Sequence, residues 1–409
     1  MKNVFKLNMV LWVMGILSIP AQGQDLKSLI DLALTNNLEV QQLAVNHKRA
    51  LEKENEVDYL PDTQVAVGVF TSRPETRTGA QQFKVSLKQM LPFFGTVKAR
   101  KNYATALADV KYQELVVKKR KLILGVSYLY YQLFQNKASQ QVVQSNLSLL
   151  KTYEEWALTA VEVGKSSVVD VLNLQIRQNE LNEKNQVLRE QYEGLSAELN
   201  ALLNRDMTVK IEVVSELLIP ERQALKAVDK LEVHPELVKY DKLYHSISDA
   251  EKLNQKQRKP LFGFGIDYIS VAERPQMNFG DNGKDILMPM LSMSIPIFTK
   301  KYRSKTKQFV LEKEALSLGK QQRFKELESS LYRAKSDRNA ARIQYETQNK
   351  NIRQTANATK ILIKSFETGT LDFDKLLEIQ ELELKFQLVK IQATRRFYEQ
   401  CALINYLIQ

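Results

Sequence analysis

Apolar positions along this chain recur with two periods. Val65, Val67 and Val69 alternate with Gln64, Ala66 and Gly68. Phe83, Val85 and Leu87 alternate with Lys84, Ser86 and Lys88, and Phe262, Phe264, Ile266 and Tyr268 alternate with Gly263, Gly265 and Asp267. Every second side chain of a strand shares one face, so these runs predict two-faced strands. A fourth strand, about Leu287 to Ile295, is less regular, and its Pro289 lacks a ladder donor, which predicts a bulge or an edge. Elsewhere the period is helical. Leu174, Leu181, Leu188, Leu195 and Leu202 fall on every seventh residue, the seam of a supercoiled helix. From about Thr96 to Val163 no proline or strong stop intervenes, which predicts one helix of roughly 100 Å. No compact domain of this size holds such a rod. The predicted fold is mainly α with a small β part: long-helix hairpins in a tubular array, plus four strands.

The pattern is written twice. Leu38 and Leu237 open equivalent helices, and Pro61 matches Pro260, 199 residues on. Pro92 matches Pro296 at 204, and Gly164 matches Gly369 at 205. Leu172 and Gln175 match Leu377 and Gln380 at that same offset. A period near 200 is a domain duplication rather than a solenoid. It divides the chain into a leader over 1–23, a first repeat over 24–203, a linker over 204–230 and a second repeat over 231–409. Each half reads as a helix, two strands between prolines, a long helix, a glycine turn and a return helix. Summed lengths pair the helices of about 168–203 and 231–258 beside the first long helix. They pair those of about 372–408 and 25–58 beside the second, about 299–368.

One apolar and one charged face suit a barrel wall with lipid outside and water inside; a small sheet packed on helices is the alternative. Lys84, Lys88 and Asp267 are the candidate lumen residues. Four strands leave open edges, and membrane barrels start at about eight strands, so a barrel needs several copies of the chain.

Residues 1–23 change the compartment. Lys2 and Lys6 precede an apolar run from Met9 to Ile19, and Ala21 and Gly23 supply the small residues of a cleavage site. No later stretch has 18 unbroken apolar residues, so the expected mature chain has no spanning helix. Cys401 is the only cysteine, which excludes an internal disulfide and a thiolate metal cluster. The net charge of +12 is spread over helices among acids, without the aromatic interleaving of a nucleic-acid platform, so no nucleic-acid partner is expected. His47, His234 and His245 show no metal-ligand spacing, and no phosphate loop or nucleophile elbow appears. Neither catalysis nor a cofactor is expected. A secreted coiled-coil scaffold is the rival class; it would explain the rods but not the alternating strands.

Taken in order, the motifs Leu91-Pro92-Phe93-Phe94-Gly95, Val163-Gly164-Lys165-Ser166, Ser294-Ile295-Pro296-Ile297-Phe298 and Thr368-Gly369-Thr370 resemble the TolC family of outer-membrane efflux proteins. The resemblance implies a homotrimer in the outer membrane of a Gram-negative bacterium. It would have a twelve-strand β-barrel in outer-membrane lipid and an α-helical barrel across the periplasm. The implied partners are a periplasmic adaptor (membrane fusion) protein and an inner-membrane pump of RND type, with protein secretion as the alternative within the family. It places adaptor docking at Gly164, Lys165, Ser166, Gly369 and Thr370. The family's acidic gate falls where this chain has Lys375 and Glu378, so the pattern is broken there. Asp170, Asp372 and Asp374 lie close in sequence, and a charged constriction of changed sign is expected from this set, with solvated helix-face charges as the alternative. Met288 and Met290 would share a strand face and Met293 the other, which favours packing over soft-metal traffic.

Overall fold

The computed structural model describes residues 25–164, 166–221, 231–367 and 373–408. The expected leader over 1–23 and part of the expected linker lie outside them. The chain begins with helices α1 (Leu26–Asn36) and α2 (Leu38–Glu56), then strands β1 (Gln64–Val69), β2 (Glu75–Thr76) and β3 (Gly79–Leu91). Helices α3 (Thr96–Glu162) and α4 (Val168–Leu202) follow. Residues 203–221 carry no regular structure; beyond residue 230 come a short 3-10 turn, α5 (Pro235–Gln257), β4 (Leu261–Ala272), β5 (Ile286–Ser294), α6 (Lys300–Glu367) and α7 (Phe373–Ile408). The fold is mainly α with a small antiparallel sheet, as the sequence predicts. Each half runs helix, strands, long helix, return helix.

The long rods are α3 with 67 residues and α6 with 68, each about 100 Å. Neither contains proline. Leu174 and Leu181 of the heptad seam are buried, and Leu188, Leu195 and Leu202 pack on the neighbouring cores. The cores lie in series along the rods rather than at one centre. One joins α1, α3 and the end of α4 around Leu133, Leu199 and Ile211. A second joins the far end of α3 to α4 and α7 around Tyr153, Leu174 and Leu376. A third joins α6 to the end of α7 around Leu327, Leu331 and Leu407.

A helix opens at Leu38, as the sequence reading has it, but the stretch before it in the expected helix of about 25–58 is a separate helix: Asn37 divides the two, its extended backbone and side chain capping α2 by accepting from the Glu39 and Val40 N–H groups. The short helices also stack differently. Asn37 Nδ2 donates to the Leu202 carbonyl at 3.0 Å, so α2 continues from the end of α4, and both pack along α3. In the second half His234 caps α5 by accepting from the Glu236 N–H. Its other ring nitrogen, Nε2, then carries the proton and bonds the Tyr406 carbonyl at 3.2 Å, so α5 continues from the end of α7 and packs against both α3, beside which the sequence reading put it, and α6. In both halves one polar cap serves two helix ends, giving a donor to an orphan carbonyl and an acceptor to orphan N–H groups. Length alone could not distinguish this pairing from the crossed one.

The return to the second half is tied down by its backbone. Tyr192 donates to the Ile211 carbonyl at 2.7 Å, Asn200 to those of Met207 and Val209 at 3.0 and 2.8 Å, and Tyr398 to that of Leu218 at 2.6 Å. This extended segment thus spans from the α3–α4 hairpin to α7.

Candidate functional site

The sheet order is β1-β3-β4-β5, all antiparallel, with the two-residue β2 beside β3. The register sorts side chains by face. Val85 lies opposite Tyr268 and Tyr268 opposite Leu287; Leu87 lies opposite Ile266 and Ile266 opposite Pro289. With Val65, Val67, Val69, Phe264 and Leu291 these make one continuous apolar face. It is open: Leu291 is 92 % exposed, Val69 74 % and Val67 70 %. Burial in water-excluding surroundings is the ordinary fate of such side chains, so an exposed sheet face of this kind marks a surface for apolar solvent.

The opposite face carries Lys84, Ser86, Lys88, Gly263, Gly265 and Asp267, with Met288 and Met290. Asp267 is fully buried and ion-paired with Lys84. The three candidate lumen residues therefore share the polar face, opposite the apolar one. Met288 and Met290 also lie there and Met293 does not, as their parity predicts. Met90 joins them, over Gly263, with its sulfur 3.8 Å from Ser292 Oγ. Its parity with Lys84 and Lys88 was the available signal. Pro289 stands on an edge strand and the register runs through it unbroken; the irregularity lies instead between Gln81 and Phe83.

At the far end of the rods, Gly164 turns the chain with φ +69°, a left-handed conformation that favours glycine. Open space surrounds its α-carbon. Ser167 caps α4 and accepts from the Val169 N–H at 3.1 Å. Asp170 reaches back, accepting from the Ser167 N–H at 2.9 Å and the Ser166 hydroxyl at 2.6 Å. Asp170 is thus spent on a capping box with Ser167, and on the Ser166 hydroxyl, rather than left as a lone charge. Ser167→Ala is expected to weaken this first turn by about 1 kcal/mol. Hydrogen exchange of the Val169 amide measures it, and an unchanged rate would remove the cap from the account.

Lys165, Gly369, Thr370 and Asp372 lie outside the described residues. Asp374 stands exposed in the first turn of α7. Lys375 and Glu378 are also exposed and pair with one another at 3.1 Å, one helical turn apart. Between them Leu376 is buried in the core. Glu378 borders a groove of about 750 Å³ between α4 and α7. Arg177 of α4 crosses it to pair with Glu381 of α7, and Gln380 donates to Asn146 of α3 at 2.6 Å. This polar strap between the two return helices was not read from sequence, because its partners are over 200 residues apart.

Rods that end in a sheet with an open apolar face, with the Gly164 turn at the other end, define a fold: that of the TolC-like channels. Residues 29–205 match the family model of the outer membrane efflux proteins. The fold of the chain is similar to that of CusC, with a TM-score of 0.77 at 12% identity, covering 93% of this chain and 91% of that one. The outer membrane protein VceC of Vibrio cholerae gives 0.73 at 15% identity, covering 93% and 95%. The CmeC outer membrane channel of Campylobacter jejuni gives 0.74 at 12%, covering 100% and 93%. No curated protein matches the chain. No described helix is long and apolar enough to cross a membrane.

Proposed function

We propose that this outer-membrane efflux channel is the passive exit duct of a tripartite system. In this reading, solutes reach it from an inner-membrane pump of RND type through a periplasmic adaptor. The carrying observation is the sheet: β1 and β5 are its outer strands, and its apolar face is uncovered. Open edges are not tolerated in lipid, so edges from neighbouring copies must pair. Four long strands from each of three copies give a twelve-strand barrel, and the polar face with Lys84, Lys88 and Asp267 lines its lumen. The duplicated repeats, 24–203 and 231–409 with 204–230 between them, supply matching halves of the wall. Gly164 and Gly369, with Lys165, Ser166 and Thr370, form the adaptor-docking tips. Asp170, Asp372, Asp374, Lys375 and Glu378 border the constriction close to them.

The test is the mass of the detergent-extracted particle. Light scattering corrected for detergent is expected to give three times the chain's 47.1 kDa less its leader. A particle of one chain mass, or recovery in the soluble periplasmic fraction, would sink the duct and favour the scaffold.

A further inference from the structure

We infer that the junction between the sheet and the rods holds a binding site for a phosphate-class oxyanion. A cavity of about 550 Å³ lies there. Arg100, Lys256, Lys259, Lys301 and Lys305 line it, and no carboxylate does. Two lysines of these rods do have carboxylate partners: Lys101 pairs with Asp58 at 2.9 Å and Lys313 with Glu251 at 2.6 Å. Among the described residues the five cavity cations have no acidic partner, and four of them, Arg100, Lys256, Lys301 and Lys305, are met only by carbonyls or rings. Lys256 donates to the Phe94 carbonyl at 3.3 Å and stands 5.7 Å from the Phe93 ring centre. Arg100 donates to the Tyr59 carbonyl at 3.4 Å, and Lys301 stands 4.9 Å from the Tyr302 ring centre.

The backbone adds positive potential. Both rods begin here, α3 at Thr96 and α6 at Lys300. The partial positive charge of a helix N-terminus favours acids in the first turn, yet neither rod has one. In their place stand Lys98 in α3 and Lys300 and Lys301 in α6. The α3 terminus also lacks a side-chain cap, because Gly95 occupies that position.

A third observation is independent of charge. Thr96 lines the cavity and is 4 % exposed, and its buried Oγ1 has no hydrogen-bond partner among the described residues. A buried hydroxyl left unmatched costs on the order of 1–3 kcal/mol. A tetrahedral oxyanion meets all three demands at once. Its charge balances the cations, and its oxygens accept from helix N–H groups and from the threonine.

The strand residues at the cavity settle which side it opens to. Leu261 and Ser294 are register partners, and their parity puts them on the face of Gly263, Gly265 and Asp267. That is the polar face, so the anion arrives from water, as a free phosphate or a phosphorylated solute. A lipid headgroup supplies the same chemistry from the other side. The site lies within one chain and does not depend on the assembly proposed above.

The experiment is titration calorimetry of the full chain with inorganic phosphate at low ionic strength, in phosphatidylcholine nanodiscs. Saturable binding is expected, weakened at least about tenfold by the combined Lys256→Gln, Lys259→Gln and Lys301→Gln replacements. Thr96→Val keeps shape and charge and is expected to weaken binding by a smaller factor without lowering the melting temperature, since it removes an unmatched hydroxyl. No saturable binding to the parent chain would overturn the site. So would equal affinity in the parent and both variants. Repeating the titration in phosphatidylglycerol nanodiscs names the source. Binding kept there assigns the site to a solute phosphate; binding blocked there assigns it to a lipid phosphate.

Discussion

Leu291→Arg is expected to abolish insertion into lipid, while Met288→Arg, three positions earlier on the same strand, is expected to leave it intact. Leu291 is 92 % exposed on the apolar face, opposite Phe264. Met288 lies opposite the Asp267 carboxylate on the polar face, where an added guanidinium finds a counter-charge. A cation on the lipid side near mid-membrane costs about 2–4 kcal/mol in each chain, and every copy in a barrel bears it. Flotation of refolded protein with liposomes reads both variants. Equal flotation of the two would mean that the apolar face does not meet lipid.

Glu236→Gln has the largest effect expected in the helical part. Glu236 joins four elements: Arg323 of α6 donates to it at 2.5 Å, Lys121 of α3 stands at 3.2 Å, and the Tyr406 hydroxyl of α7 also donates. Its side chain is only 12 % exposed. Burial alone would raise its pKa, but the Tyr406 and Arg323 hydrogen bonds and the charges of Arg323 and Lys121 outweigh it and hold the carboxyl down at about 2. A carboxylate depressed in the folded state contributes stability above its ordinary range, and that contribution fades as pH falls toward the folded value. The variant is therefore expected to lose on the order of 3 kcal/mol at neutral pH, with the deficit shrinking between about pH 4.5 and 2. Guanidinium unfolding followed by helical circular dichroism, at pH 7 and pH 3, measures it. A deficit independent of pH would show that the ionised form is not what matters.

Much of this architecture was legible from spacing. The rods stand out because neither contains a proline, and the heptad leucines of α4 fall on the buried seam. The strands β3 and β4 are clear because Lys84, Lys88 and Asp267 interrupt apolar runs at every second place. The strand β5 is obscure for a physical reason: Met288 and Met290 face the polar side, yet their hydropathy matches that of Leu287 and Leu291 on the other. Its faces emerge only when the register aligns it with β4. The break at Asn37 had a signal, since asparagine is among the best N-cap residues. The stacking of α2 on α4 had none, because bonds such as Asn37 to Leu202 depend on the folded path.

The constriction residues were the least legible. Lys375 and Glu378 are three apart, which places them side by side on any helix, so the same spacing serves a gate and a solvated pair equally. Asp170 illustrates the ambiguity from the other direction. Its position three after Ser167 is also the grammar of a capping box, and that is how the structure uses it. The junction cations were visible as residues but not as a cluster, because α3, α5 and α6 bring them together from far apart in the chain.

The strict in-and-out alternation of the sheet has an effect on fidelity. Sliding β5 past β4 by a single residue would turn Met288 and Met290 outward and push Leu287 and Leu291 toward the charges. In the proposed barrel, the same penalty would apply where two copies meet at their outer strands, since Val65, Val67 and Val69 must stay on one side and Gln64 on the other. The surrounding solvent thus proofreads strand alignment, rejecting each odd-numbered shift at every seam.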